Sequence, residues 1–198
     1  MPKILLLVVG ALVALLLLAV GCSVSSYNGL VALDQDVQKQ WAQVENVYQR
    51  RADLVPNLVE TVKGSAKFER ETLKEVIDAR ARAVEASPRG SAPAAPEQLS
   101  RFQQSQDQLG SALSRLMVVV ERYPELKSTQ NFRDLQAQLE GTENRIAVER
   151  MRFNEAAQAF NTKLKRFPTV LVAGLLGFKE RPYFTATPGA DRPPAVKF

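Results

Sequence analysis

The sequence predicts an all-α protein: an N-terminal membrane helix followed by an antiparallel helical bundle of four amphipathic helices, two long and two shorter. Three observations carry that expectation. Residues 4–20 contain no polar side chain. Downstream, apolar residues recur at alternating steps of three and four, the repeat of a packed helix seam. No stretch shows the period-two alternation of a half-buried strand.

The apolar run comes first. A bilayer-spanning helix needs roughly 17–25 apolar residues, and a cleavable signal peptide carries an apolar region of roughly 7–15. Ile4–Val20 falls at the lower end of the first range. Lys3 precedes it and the next basic residue is Lys39. The positive-inside rule therefore leaves the N-terminus in the cytoplasm and exports the rest. Ala19-Val20-Gly21-Cys22 offers a second reading. Small residues followed by cysteine resemble a bacterial lipobox, in which the cysteine is lipidated and becomes the new N-terminus. Ala19 stands where leucine is usual. Signal anchor and lipid anchor through Cys22 both stay open, and both tether the chain to a membrane. The expected division is a membrane segment over 1–22, a bundle domain over 23–184 and a flexible tail over 185–198.

The first bundle helix is expected from Tyr27 to about Val62. Its seam reads Leu30, Asp34, Val37, Trp41, Val44, Tyr48, Arg51, Val55, Leu58 and Val62. Pro56 removes one helical hydrogen bond and marks a candidate bend. Gly64 is a plausible C-cap, and Ser65 with Glu69 forms a candidate capping box for a second helix reaching Glu85. Ser87-Pro-Arg-Gly-Ser-Ala-Pro-Ala-Ala-Pro96 reads as an exposed loop. A third helix follows from about Glu97 to Arg122, with Leu99, Phe102, Gln106, Leu109, Leu113, Leu116 and Val120 on heptad spacing. Tyr123-Pro124 ends or bends it. The fourth, Phe132 to Phe167, carries Leu139, Glu143, Ile146, Arg150, Phe153, Ala157, Phe160, Leu164 and Phe167.

An antiparallel layout has a consequence at each end. The apolar segment Val170–Phe178 is too short to span a bilayer. It should fold back beside the start of the first helix, with Leu175 and Phe178 at the membrane end, away from Ser87–Pro96, either capping the open base of the bundle or resting in the bilayer interface. Arg51 lies as far along the chain from Tyr27 as Glu143 lies from Phe167. Both should stand about 36 Å from that end at about 1.5 Å per residue. A charge on an apolar stripe must reach water or find a partner. The register therefore makes Arg51–Glu143 a candidate pair, joined through two parallel hydrogen bonds. Local partners, Glu45 for Arg51 and Arg150 for Glu143, are the competing arrangement.

Composition narrows the function. There is no histidine, and Cys22 is the only cysteine. This excludes histidine-dependent nucleophilic catalysis, an intrachain disulfide and most zinc sites. No cofactor is expected. The net charge of +5 is spread along helices rather than gathered on one face, so nucleic acid is not an expected partner.

Several separated motifs are familiar together: Tyr27-Asn-Gly-Leu-Val31, Arg50-Arg-Ala-Asp-Leu-Val-Pro-Asn-Leu-Val59 with Thr61-Val-Lys-Gly64, Tyr123-Pro-Glu-Leu-Lys127, Thr142-Glu-Asn-Arg-Ile146, Arg150, Phe153-Asn154, and Phe167-Pro with Gly177-Phe178. They run over residues 27–184 in the order of the bacterial LemA family, which the chain resembles. The resemblance implies a helical bundle behind a membrane segment; with the positive-inside orientation, the expected location is the bacterial cell membrane with the domain outside the cytoplasm. It implies an envelope protein, in some cases linked to membrane proteases, and no reaction. The motif positions it marks are Arg50, Arg51, Asp53, Pro56, Asn57, Glu143, Asn144 and Arg150. Phe153 and Phe160 stand where the family often has tyrosine, and Glu149 where it often has a small residue.

Three readings of function follow. The first is a non-enzymatic scaffold or interaction module that assembles with itself or with an envelope partner. The second is a ligand-binding module with a pocket at Trp41, Tyr48 and Arg51. The third is a hydrolase using the carboxylates of Asp53, Glu143 and Glu149.

Overall fold

The computed structural model describes residues 2–64, 69–88, 90–174 and 176–185. Its helices are α1 (Pro2–Lys63), α2 (Arg70–Glu85), α3 (Pro96–Val120), α4 (Pro124–Lys127), α5 (Gln130–Lys165) and α6 (Thr169–Ala173). No strand occurs among the described residues.

The first departure from expectation is α1. The apolar run and the first bundle helix are one continuous helix of 62 residues. No proline interrupts Val20–Tyr27, and the Ser23 hydroxyl donates back to the Ala19 carbonyl at 2.8 Å, which satisfies it inside the helix. Pro56 also lies within α1. Its missing N–H would leave the Ala52 carbonyl without a helical donor. Arg80 of α2 fills that place, donating Nε to the Ala52 carbonyl at 2.7 Å.

Other boundaries shift by a few residues. The candidate capping box cannot be judged at Ser65, since 65–68 lie outside the described residues. Glu69 is the N-cap of α2 but makes no side-chain cap bond. Pro124 opens the one-turn α4, which the sequence reading did not separate. Thr129 then caps α5, its hydroxyl accepting from the Phe132 N–H.

α1 and α5 run antiparallel in one register. A Cβ at Gly29 would meet Lys163, Trp41 meets Phe153 at 5.6 Å between ring centroids, and Arg51 meets Glu143 at 2.8 Å. α2 and α3 form a second antiparallel pair, with Glu69 on Arg122 and Glu75 on Arg115. The expected seam of α1 is buried from Leu30 to Val62, Asp34 excepted, with no residue more than 4% exposed. On α5 the stripe is buried except at Glu143 and Arg150; the helix ends at Lys165, so Phe167, expected to close it, lies beyond and is 79% exposed.

The core has two parts. Next to the apolar run it is aromatic: Trp41, Tyr48, Phe102, Phe153, Phe160 and Phe184. Farther along it is aliphatic apart from Phe132, built from the end of α1, from α2, from the later turns of α3 and from the start of α5. The Ser87–Pro96 connection is not simply exposed and does not lie at the far end. The Ala92 N–H donates to Gln38 at 2.8 Å, Ala92 is buried against the aromatic half, and Pro93 is buried too.

Candidate functional site

The two halves of the core meet at a layer of polar side chains. On α1 the aromatic residues end at Tyr48 and the aliphatic ones begin at Leu54, and Arg51 lies between. On α3 the layer is Ser105 and Gln106, and on α5 it is Thr142 and Glu143.

Arg51 is 4% exposed. Its Nη1 donates to Glu143 Oε2 at 2.8 Å. Its Nη2 donates to the Gln106 side-chain oxygen at 2.8 Å and to the Gln106 backbone carbonyl at 3.0 Å. Gln106 in turn donates to the Ala83 carbonyl of α2. One guanidinium therefore links α1, α3 and α5, and through Gln106 also α2. Its carbon lies 5.1 Å from the centre of the Tyr48 ring, a cation–π contact. Gly110 lies beside it, where a Cβ would stand 3.8 Å from Nη1, an ordinary van der Waals contact.

The expected Arg51–Glu143 pair forms, and the geometry corrects the sequence reading in one way. The fork is not bidentate on one carboxylate; it is divided between Glu143 and Gln106. The pair is also one-sided: Arg51 is buried, while the Glu143 side chain is 62% exposed. Burial pushes the Tyr48 phenol up, opposed by Arg150 and Arg51. Burial likewise raises Asp107, again opposed by Arg150 and Arg51, with Glu143 pushing the same way as burial.

One turn before Gln106, Gln103 belongs to a second polar system, which the sequence reading missed. After α6 the chain runs back along the bundle as an extended strap over 178–185. Three side-chain amides hold it by pairing with its backbone as a neighbouring strand would. Asn161 accepts from the Arg181 N–H at 2.8 Å and donates to the Arg181 carbonyl at 2.8 Å. Asn154 does the same for Phe184 at 2.9 and 3.0 Å. Gln103 donates to the Thr185 carbonyl at 2.8 Å and accepts from its N–H.

The strap also brings side chains. Arg181 pairs with Asp34 at 2.6 Å, which accounts for the acid on the α1 seam. Phe184 is 6% exposed and stacks on Trp41, with Phe153 edge-on beside it. Arg150 lies over the Phe184 ring and donates to the Thr185 carbonyl. Thr185, expected to begin a flexible tail, is therefore held on both polar groups of its backbone. Residues 186–198 lie outside the described residues. The one available signal was the pair Asn154 and Asn161, a heptad apart beside an apolar stripe.

The remaining sequence candidates separate. Trp41, Tyr48 and Arg51 do come together, but as core: Phe102, Phe153 and Phe184 fill the space around Trp41, and Phe102 meets Tyr48 edge-on. A groove of about 1400 Å³ lies elsewhere, between α2, α3 and the strap, with Glu75, Arg82, Asp107, Arg115 and Arg181 among its walls. The three proposed catalytic carboxylates do not converge: Asp53 accepts from Gln49, Glu143 from Arg51 and Glu149 from Arg152. Arg50, Asn57 and Asn144 are exposed on the helix surfaces. Among the described residues no three acidic or cysteine side chains gather to hold a metal. Cys22 is exposed on α1. Phe178 does pack at the start of the bundle, 5.9 Å from Tyr27 and 6.1 Å from Phe160. Leu175 lies outside the described residues.

Comparison with known proteins bears on what this bundle is. The chain is 31% identical to "Magnetosome protein MamQ 1" of Paramagnetospirillum magneticum over an alignment of 183 residues, covering 84% of this chain and 67% of the relative. It is similar to the same extent to "Magnetosome protein MamQ" of Magnetospirillum gryphiswaldense. The LemA family profile matches residues 40–198, the stretch that holds the polar layer, α6 and the strap. This chain belongs to the LemA family.

Proposed function

We propose that this protein is a non-enzymatic, membrane-tethered scaffold of the bacterial envelope, with its bundle outside the cytoplasm. The observation that carries the reading is the continuity of α1. Its apolar run, exposed from Leu5 to Val20, passes without a break into a seam buried from Leu30 to Val62 at every position but Asp34. A helix continued in this way transmits the direction of its anchor to the bundle, as a flexible linker would not. The chain is then a stiff post that presents the α2–α3 face at a fixed height. Its partners are a second copy of itself or an envelope protein such as a membrane protease. The absence of converging carboxylates among the described residues supports a binding role over hydrolysis.

Cross-linking of native membranes followed by mass spectrometry tests this reading. Cross-links from α2 or α3 to another copy or to a membrane protein are expected, and a chain that cross-links to nothing would sink it. Protease added after opening of the outer envelope should digest the bundle; protection until the inner membrane is lysed would reverse the orientation. The intact mass decides between the two anchors, because lipidation at Cys22 would leave a mature chain beginning there.

A ligand-binding role now rests on the groove beside α3 rather than on Trp41 and Tyr48. The charged walls of that groove favour it as the place where a partner docks.

A further inference from the structure

Where the bundle meets the apolar run, α6 and the residues flanking it carry an exposed apolar surface. Phe167, Leu171, Val170 and Leu176 are 79%, 66%, 49% and 40% exposed. Their height along α1 is fixed. Pro168 and Lys163 line one notch together with Leu17, Leu18, Gly21 and Cys22. The start of α6 thus stands level with the last turns of the apolar run.

The length of that run decides what surrounds α6. At about 1.5 Å per residue, Ile4–Val20 covers about 26 Å, short of a hydrocarbon core of about 30 Å. Lys3 holds the other end at the headgroups. The missing few ångströms must come from Gly21–Val24, which draws the level of α6 into the boundary between acyl chains and headgroups. Lys163, Arg166 and Lys179 flank the segment, and cations beside apolar side chains suit a phosphate-bearing surface.

We propose that Phe167, Val170, Leu171 and Leu176 form a second membrane contact. They insert into the interface of the leaflet from which α1 emerges, and Lys163, Arg166 and Lys179 engage the lipid phosphates. The bundle is then held at two points and cannot turn about the axis of α1. Apolar bulk also enters one leaflet only. The inference rests on α1 spanning the bilayer, and its test separates the two.

Full-length chain carrying Cys22→Ser is reconstituted into phosphatidylcholine vesicles, with and without phosphatidylglycerol. An environment-sensitive fluorophore is placed through Leu12→Cys, Leu171→Cys or Asn131→Cys. Position 12 reports the span, 171 the proposed contact and 131 the far end of the bundle. At 171 we expect quenching by lipids bearing a shallow doxyl group, several-fold weaker iodide quenching than at 131, and a further blue shift when phosphatidylglycerol is present. Iodide quenching at 171 equal to that at 131, with position 12 still in lipid, would overturn the contact and leave the span intact. Loss of lipid quenching at position 12 would overturn both. Shielding from iodide at 171 without doxyl quenching would mean that protein covers the surface, and would also overturn the contact. An unchanged response to phosphatidylglycerol would remove the role given to the three cations.

Discussion

The two halves of the bundle solve one packing problem differently. In the aliphatic half, α2 packs beside α1 and α3, and with α5 these helices enclose mostly branched side chains around Phe132. In the aromatic half, α2 has already ended at Glu85, so one wall is missing. Large rings fill more of that space, and the strap closes the rest by inserting Phe184 among Trp41, Phe102 and Phe153. A helix satisfies its own backbone, whereas a strap does not. The aromatic half therefore needs Asn161, Asn154 and Gln103, and the aliphatic half has no such requirement.

Truncation after Arg166 should give the largest effect, since it removes α6 and the strap together. Trp41, Phe102 and Phe153 would face water, and the product should aggregate with red-shifted emission from Trp41, the only tryptophan. A soluble, fully helical product with unshifted emission would show the two halves to be independent of the strap. Phe184→Ala tests the same wall at one residue and should cost about 3 kcal/mol in denaturant unfolding followed by Trp41 fluorescence.

The layer between the halves comes next. Arg51→Ala leaves the Gln106 side chain without its buried donor and opens a cavity, and should destabilise by about 3 kcal/mol. Glu143→Ala should cost about 1 kcal/mol or less, because its exposed carboxylate is already shared with water. Arg51→Met combined with Gln106→Leu should be more stable than Arg51→Met alone. Equal losses for Arg51→Ala and Glu143→Ala would place the energy in the ion pair rather than in the layer.

The aliphatic half has a smaller test. Arg80→Ala should cost about 1 kcal/mol by freeing the Ala52 carbonyl. Pro56→Ala restores the helical donor to that carbonyl, so in the Pro56→Ala background the Arg80→Ala loss should shrink. Additive losses in the cycle would show that Arg80 acts elsewhere.

The smallest effect is a pH slope. Asp107 is raised chiefly by burial, so the folded chain keeps a proton that the unfolded chain has released. That group favours folding at acid pH, and its contribution is lost as pH rises through the raised value. From about pH 4 towards neutrality, the wild type should lose stability relative to Asp107→Asn. Parallel stability curves for the two proteins would contradict this.

The sequence by itself determined the four amphipathic helices, the apolar run and the seams, because each depends on residues three or four apart on one helix; it left the short α4 and α6 unseparated. It also offered the α1–α5 register as a candidate, since two long antiparallel helices meeting at one end bring Arg51 level with Glu143, but only the tertiary structure chose that pair over local partners. Only the tertiary structure decided how the Arg51 fork is divided, because Gln106 reaches it from a third helix whose rotation no periodicity fixes. The strap was also a tertiary decision. Residues 178–185 have no helical repeat, and their partners Asn161, Asn154 and Gln103 read in isolation as ordinary polar positions. Their role appears only where α2 has ended and an extended backbone must find donors and acceptors on the helices beside it.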